Sequence, residues 1–163
     1  MLEAVIASFM IWISAHTGFI VPDPPKFSMK TERQIWDRVY ACDKRPESNA
    51  CKEPRPDSGI VAIYNNKLKE IMVPKWFDID RISHRSILLH ELVHHVQYEN
   101  EYNEEVQCKA ELEKQAYDLQ DKWLKENKAI LPEGLQIGPL LRYTVTTCDE
   151  LQGWGQGWSP IPD

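Results

Sequence analysis

No C-x-x-C pair occurs among the four cysteines at positions 42, 51, 108 and 148, which removes the zinc-knuckle and thioredoxin-like readings built on that spacing. A concentrated basic patch is missing too. Lys67 and Lys69 are interrupted by an apolar residue, and the formal net charge is −6, so the chain has no footprint for nucleic-acid phosphates. With 7 Gly, 11 Pro, 27% charged and 42% hydrophobic residues, neither a collagenous rod nor a mainly disordered chain is in question. No internal repeat is found. What is left is a chain of 163 residues, long enough for one core and too short for two, so a single domain over residues 1–163 is expected.

The N-terminus lacks charge: Ala4 to Val21 contains no Lys, Arg, Asp or Glu. A signal peptide ending near Ala15 would explain this, but no Lys or Arg precedes the segment and Glu3 stands where a positive charge belongs. His16, Thr17 and Gly18 also end the apolar run before it could span a membrane. Leu2, Val5, Ile6, Phe9 and Ile13 recur at helical spacing, so residues 2–15 are expected to form an amphipathic core helix. The even number of separated cysteines fits two disulfides. Of three possible pairings, 42–51, bracketing a Pro- and Asn-containing loop, and 108–148 are expected, with four reduced thiols as the alternative. Paired cysteines imply an extracytoplasmic location, periplasmic or secreted, rather than the cytoplasm.

Along the chain, Pro22, Pro24 and Pro25 enforce an extended connection, residues 26–28 suit a short strand, and Thr31 can cap a helix reaching about Ala41. Residues 43–58 read as a long surface loop. Ile60–Tyr64 and Glu70–Val73 form a hairpin pattern around Asn65-Asn66. A central helix from about Ser83 to Tyr98, capped by Asp78, Asp80 or Ser83, carries Ile87, Leu88, Leu89, Leu92, Val93 and Val96. An acidic connection leads to a second helix, from about Glu105 to Lys125, which should pack antiparallel to the first. Beyond it, Leu140 to Thr147 is β-prone. The Gly153–Trp158 segment reads as an irregular tail pinning two indoles onto the core, with ring stacking on a sugar or peptide as the alternative.

The chemistry concentrates on the central helix, where His90-Glu91-Leu92-Val93-His94 matches H-E-x-x-H. Four residues on, a helix returns to the same face, so both imidazoles can bind one metal ion. Glu91 flanks that face, where its carboxylate can reach a water on the metal and serve as general base. Two histidines satisfied in a core helix would be the plain reading, but His90, Glu91, His94 and His95 in one turn would then carry a desolvation cost without a purpose. The metzincin extension is absent, since Gln97 and Asn100 stand where its glycine and third histidine belong. Glu113 begins Glu113-Lys114-Gln115-Ala116 on the next helix, and Glu111 is the rival third ligand, pointing about 200° away.

Here the sequence resembles the gluzincin metallopeptidases, over His90 to Tyr117 and the preceding hairpin. The resemblance implies His90, His94 and Glu113 as Zn2+ ligands, Glu91 as general base, and Ala116 as the small residue that lets the two helices approach. Where many gluzincins have an aspartate orienting the first histidine, this chain has Tyr117, whose hydroxyl is expected to accept the histidine N–H instead. His95 is expected to pack or orient rather than ligate. The outline also resembles small zincin-like domains of bacteria and their phages. That likeness implies an α+β fold, predominantly helical, with a hairpin or small sheet beside the active-site helix. The expected function is a zinc-dependent metallopeptidase taking a peptide or protein substrate along the hairpin edge. Tyr98, Tyr143, Arg142 and His84 are chemically able to donate to an oxyanion. A metal-stabilised binding module, weakly active or inactive and of secreted or phage origin, is the alternative.

Overall fold

The computed structural model describes residues 2–53 and 61–148; Ile60, part of the expected loop and the Gly153–Trp158 tail lie outside the described residues. Helices α1 (Leu2–Thr17), α2 (Glu32–Val39), α3 (Asn49–Lys52), α4 (Ile82–Glu99), α5 (Tyr102–Glu105), α6 (Lys109–Glu126) and α7 (Pro139–Thr146) accompany strands β1 (Lys26–Lys30), β2 (Ile63–Asn65) and β3 (Glu70–Pro74). The fold is a small α+β one, mostly helical. The sheet has the order β1-β3-β2, with β1 parallel and β2 antiparallel to β3. The central strand is therefore β3, and β2 is an edge.

The apolar stripe read from the first helix does bury. Ile6, Phe9, Met10 and Ile13 join Leu88, Leu89, Leu92, Val93 and Val96 of α4 and Ala116, Leu119 and Trp123 of α6 in one core cluster. At about 25 cal/mol per Å2 of apolar surface, each such large side chain contributes roughly 1.5–3 kcal/mol. Among the described residues, no helix is long and apolar enough to cross a membrane. The helix after Thr31 has the expected start, with Thr31 and Gln34 exchanging both bonds of a capping box.

Helices α4 and α6 run antiparallel, as their partners count in opposite directions. Ser86 meets Gln120, His90 and His94 meet Glu113, and Gln97 meets the Leu112 carbonyl. Ala116 is 0% exposed at the same contact. Its single methyl sets how closely the two helices approach.

Several expectations need correcting. Leu140 to Thr147 is not a strand but helix α7, which Gly138 caps and Pro139 starts; proline in the first turn suits a helix and would disfavour a strand. Neither Asp78, Asp80 nor Ser83 caps α4, whose N-cap is Arg81 without a side-chain bond. Asp78 is occupied elsewhere: its carboxylate accepts from the Asp80 N–H, and its own N–H donates to His84 Nδ1. The first hairpin strand lies at 63–65, later than read, because Asn65 still pairs with Glu70. Residues expected as loop include the short α3, and α6 starts at Lys109 because α5 takes up the acidic connection.

Both expected disulfides are present, Cys42–Cys51 and Cys108–Cys148. The second ties the chain just after α7 to the N-cap of α6. Helix α7 buries no residue fully, so this bridge and the ion pair of Arg142 with Asp121, at 2.6 Å, anchor it.

Candidate metal centre

Three side chains converge where α4 and α6 cross. His90 Nε2 lies 3.2 Å from His94 Nε2, His90 Nε2 is 3.3 Å from Glu113 Oε2, and His94 Nε2 is 3.3 Å from Glu113 Oε1. Together these three residues form a group that could hold a metal ion. The spacing fits a small cation, since adjacent corners of a tetrahedron with ligand bonds of about 2.0–2.1 Å lie about 3.3 Å apart. The donors also suit it, two imidazole nitrogens and one carboxylate. The histidine side chains are only 10% and 12% exposed and Glu113 is 31% exposed, leaving the opening on the glutamate's side.

Electrostatics at this point call for positive charge. Burial works against a charged His94, yet the Glu113 carboxylate outweighs it and pushes the imidazole up to about 9. Burial likewise opposes a charged Glu113, but His94 and His90 hold its carboxyl far below the usual carboxylate range.

Glu91, the next residue on α4, is not part of the cluster. Burial pushes its carboxyl above the usual range, against the pull of His90 and His94 and of the Tyr64 backbone N–H, which donates to it. That N–H is on edge strand β2, so the sheet edge meets α4 at Glu91, the residue next to His90. Tyr64 clamps α4 a second time. His95, 1% exposed, bonds through Nδ1 to the Tyr64 hydroxyl at 3.1 Å and through Nε2 to the Asp23 carbonyl at 2.8 Å. His95 is thus a packing residue, and burial lowers its pKa.

Tyr117 differs from its expected role. His90 Nδ1 is buried and has no hydrogen-bond partner among the described residues, so the Tyr117 hydroxyl does not accept from it. Instead the two rings meet edge to face with centroids 4.4 Å apart, and the Arg142 guanidinium lies over the Tyr117 ring at 4.9 Å from its centroid. An aromatic side chain one turn beyond Glu113 is too long to offer its hydroxyl to an imidazole lying against its ring. Glu111 stays out of the cluster and accepts from the Gln107 N–H.

Of the residues able to donate to an oxyanion, Arg142 is paired with Asp121. His84 accepts from Asp78 and stacks on Phe77 at 5.0 Å. Sequence reasoning missed Gln97, whose side chain reaches both His94 and α6; a glutamine within the apolar stripe of a core helix was the available signal.

Fold and site together define a small α+β protein with a two-histidine, one-glutamate cluster that could bind a metal between two core helices. Residues 2–133 match the family described as Domain of unknown function (DUF6647), and the chain belongs to that family. The match includes the whole cluster and Tyr117 and ends before α7. No curated protein and no solved structure matches the chain.

Proposed function

We propose that this protein is a zinc-dependent metallopeptidase of the zincin type, with His90, His94 and Glu113 as metal ligands and Glu91 as general base. The observation that carries the reading is the 3.2–3.3 Å convergence of the three donors on the two helices that bear H-E-x-x-H and the downstream glutamate. Two imidazoles and a carboxylate are a zinc donor set that leaves one position open for hydrolytic chemistry. Bound zinc would supply a Lewis acid toward a water and a substrate carbonyl.

The chain's own residues would do the rest. Glu91, raised by burial, would take the proton of the attacking water and return it to the leaving amine. An extended peptide substrate would lie along the hairpin edge at strand β2. The two disulfides support a periplasmic or secreted location, where such bridges persist.

A second reading, a metal-stabilised binding module, draws on the unpartnered His90 Nδ1, since a ligand histidine ordinarily donates its other N–H to an acceptor that raises its basicity. Glu91→Gln separates the two. In zinc-loaded, unreduced protein assayed on a mixed peptide library, the variant should keep the metal and cleave at least ~100-fold more slowly. Undiminished cleavage would contradict the mechanism, and a wild type that holds zinc but cleaves nothing would favour the binding module.

A further inference from the structure

Gln97 is 0% exposed and lies one turn beyond His94 on α4. A buried primary amide has two N–H donors and one acceptor oxygen to place. Its Nε2 donates to the Leu112 carbonyl at 3.0 Å and to Gln115 Oε1 at 2.8 Å, and its Oε1 lies 2.9 Å from His94 Nδ1. A backbone carbonyl only accepts, so Leu112 fixes which end of the amide faces α6. The oxygen is thereby turned to His94, and because it cannot donate, Nδ1 must carry the hydrogen. In the neutral ring that a metal requires, the lone pair then belongs to Nε2, the atom 3.3 Å from Glu113. Among the described residues His90 has no such arrangement, its Nδ1 being buried without a partner.

We infer that Gln97 is a positioning residue that locks His94 in the Nδ1–H tautomer and so commits Nε2 to the metal. The inference rests on reading the cluster as a metal centre. It gives that centre an asymmetric support: one ligand is oriented by a side chain that itself bridges α4 and α6, and the other is held by packing against Tyr117. One amide thus both ties α4 to α6 and sets the tautomer of a ligand.

Two variants separate tautomer selection from a merely structural strut. Gln97→Met removes the acceptor at nearly constant length. Gln97→Glu keeps an acceptor for Nδ1, loses both donors and turns an oxygen toward the Leu112 carbonyl. Zinc affinity is measured by competition with a chromophoric chelator, alongside thermal melts in EDTA. Wild type should bind tightly, Gln97→Met should bind 10–100-fold more weakly, and Gln97→Glu should stay within about threefold of wild type even though both variants melt earlier in EDTA.

Equal losses in the two variants would make Gln97 a strut and overturn the inference, as would an unchanged Gln97→Met. Should Gln97→Met fail to fold, long-range 1H–15N correlation of the wild-type histidine rings decides. In zinc-loaded protein Nδ1 of His94 must be protonated, and zinc on Nδ1 with Nε2–H would overturn the assignment. A wild type that binds no zinc refutes the metal centre itself and takes this inference with it, an outcome visible before any Gln97 variant is made.

Discussion

The metal-free protein should lose stability as pH rises through the range in which His94 gives up its proton. In the folded chain the Glu113 carboxylate overcomes burial and lifts His94 from 6.5 to about 9. At roughly 1.4 kcal/mol per pH unit, that rise corresponds to about 3 kcal/mol. A group whose folded pKa is raised contributes its stability in full below its unfolded value and loses it as pH passes the folded value. The window is therefore from about pH 6.5 to 9. Glu113 does not move within it, because its carboxyl is held far below the usual carboxylate range and stays ionised throughout. His94 is 12% exposed, so solvent screening removes little of the effect.

Urea unfolding in EDTA at pH 6.5 and pH 9.5 measures it directly. Wild type should lose up to about 3 kcal/mol between the two, while Glu113→Gln, which deletes the charge that holds the proton, should show little slope. In zinc-loaded protein the ion has displaced the proton, and stability should be level across the same window. A flat wild-type profile in EDTA, or an equal slope in Glu113→Gln, would refute the coupling of these two side chains.

Two further outcomes follow from the packing. Ala116→Leu forces extra volume into the α4–α6 contact, where Ala116 is 0% exposed. It should cost about 1–3 kcal/mol in denaturant titrations and weaken zinc binding by drawing Glu113 away from the histidines; an unchanged zinc affinity would show that the helix spacing does not set the site. Opening the Cys108–Cys148 bridge, which spans 40 residues, should destabilise the chain by at most about 4 kcal/mol on loop entropy. Unreduced mass analysis should find both bridges formed, and four alkylatable thiols in freshly isolated protein would contradict this.

The parts of this fold that the sequence announced are those governed by periodic burial. The α1 stripe of Ile6, Phe9 and Ile13 and the α4 core residues follow from spacing that only one element type can bury, while Thr31 is legible as a cap from its hydroxyl and its exchange with Gln34 is not. Helix α7 was misread because β-branched and aromatic residues between Leu140 and Thr147 suggested a strand, while its form is set by Pro139 and by tethering to α6. β-propensity is context-dependent, and here a disulfide and an ion pair supply the context. At the candidate site, the two histidines could be read from a four-residue spacing and Glu113 from the resemblance that pairs them with a glutamate on the next helix. The hydrogen-bond partners could not: whether Tyr117 meets His90 with its hydroxyl or its ring, and whether Gln97 reaches Leu112, depends on the distance between two helices set by Ala116.

The central claim is that His90, His94 and Glu113 hold one metal ion. Metal analysis by inductively coupled plasma mass spectrometry, on unreduced protein purified without chelator, tests it most directly. The account predicts close to one equivalent of zinc per chain in wild type, and its loss in His94→Ala and in Glu113→Gln variants that still fold. Less than about half an equivalent in wild type, or zinc retained in full by both variants, would contradict it.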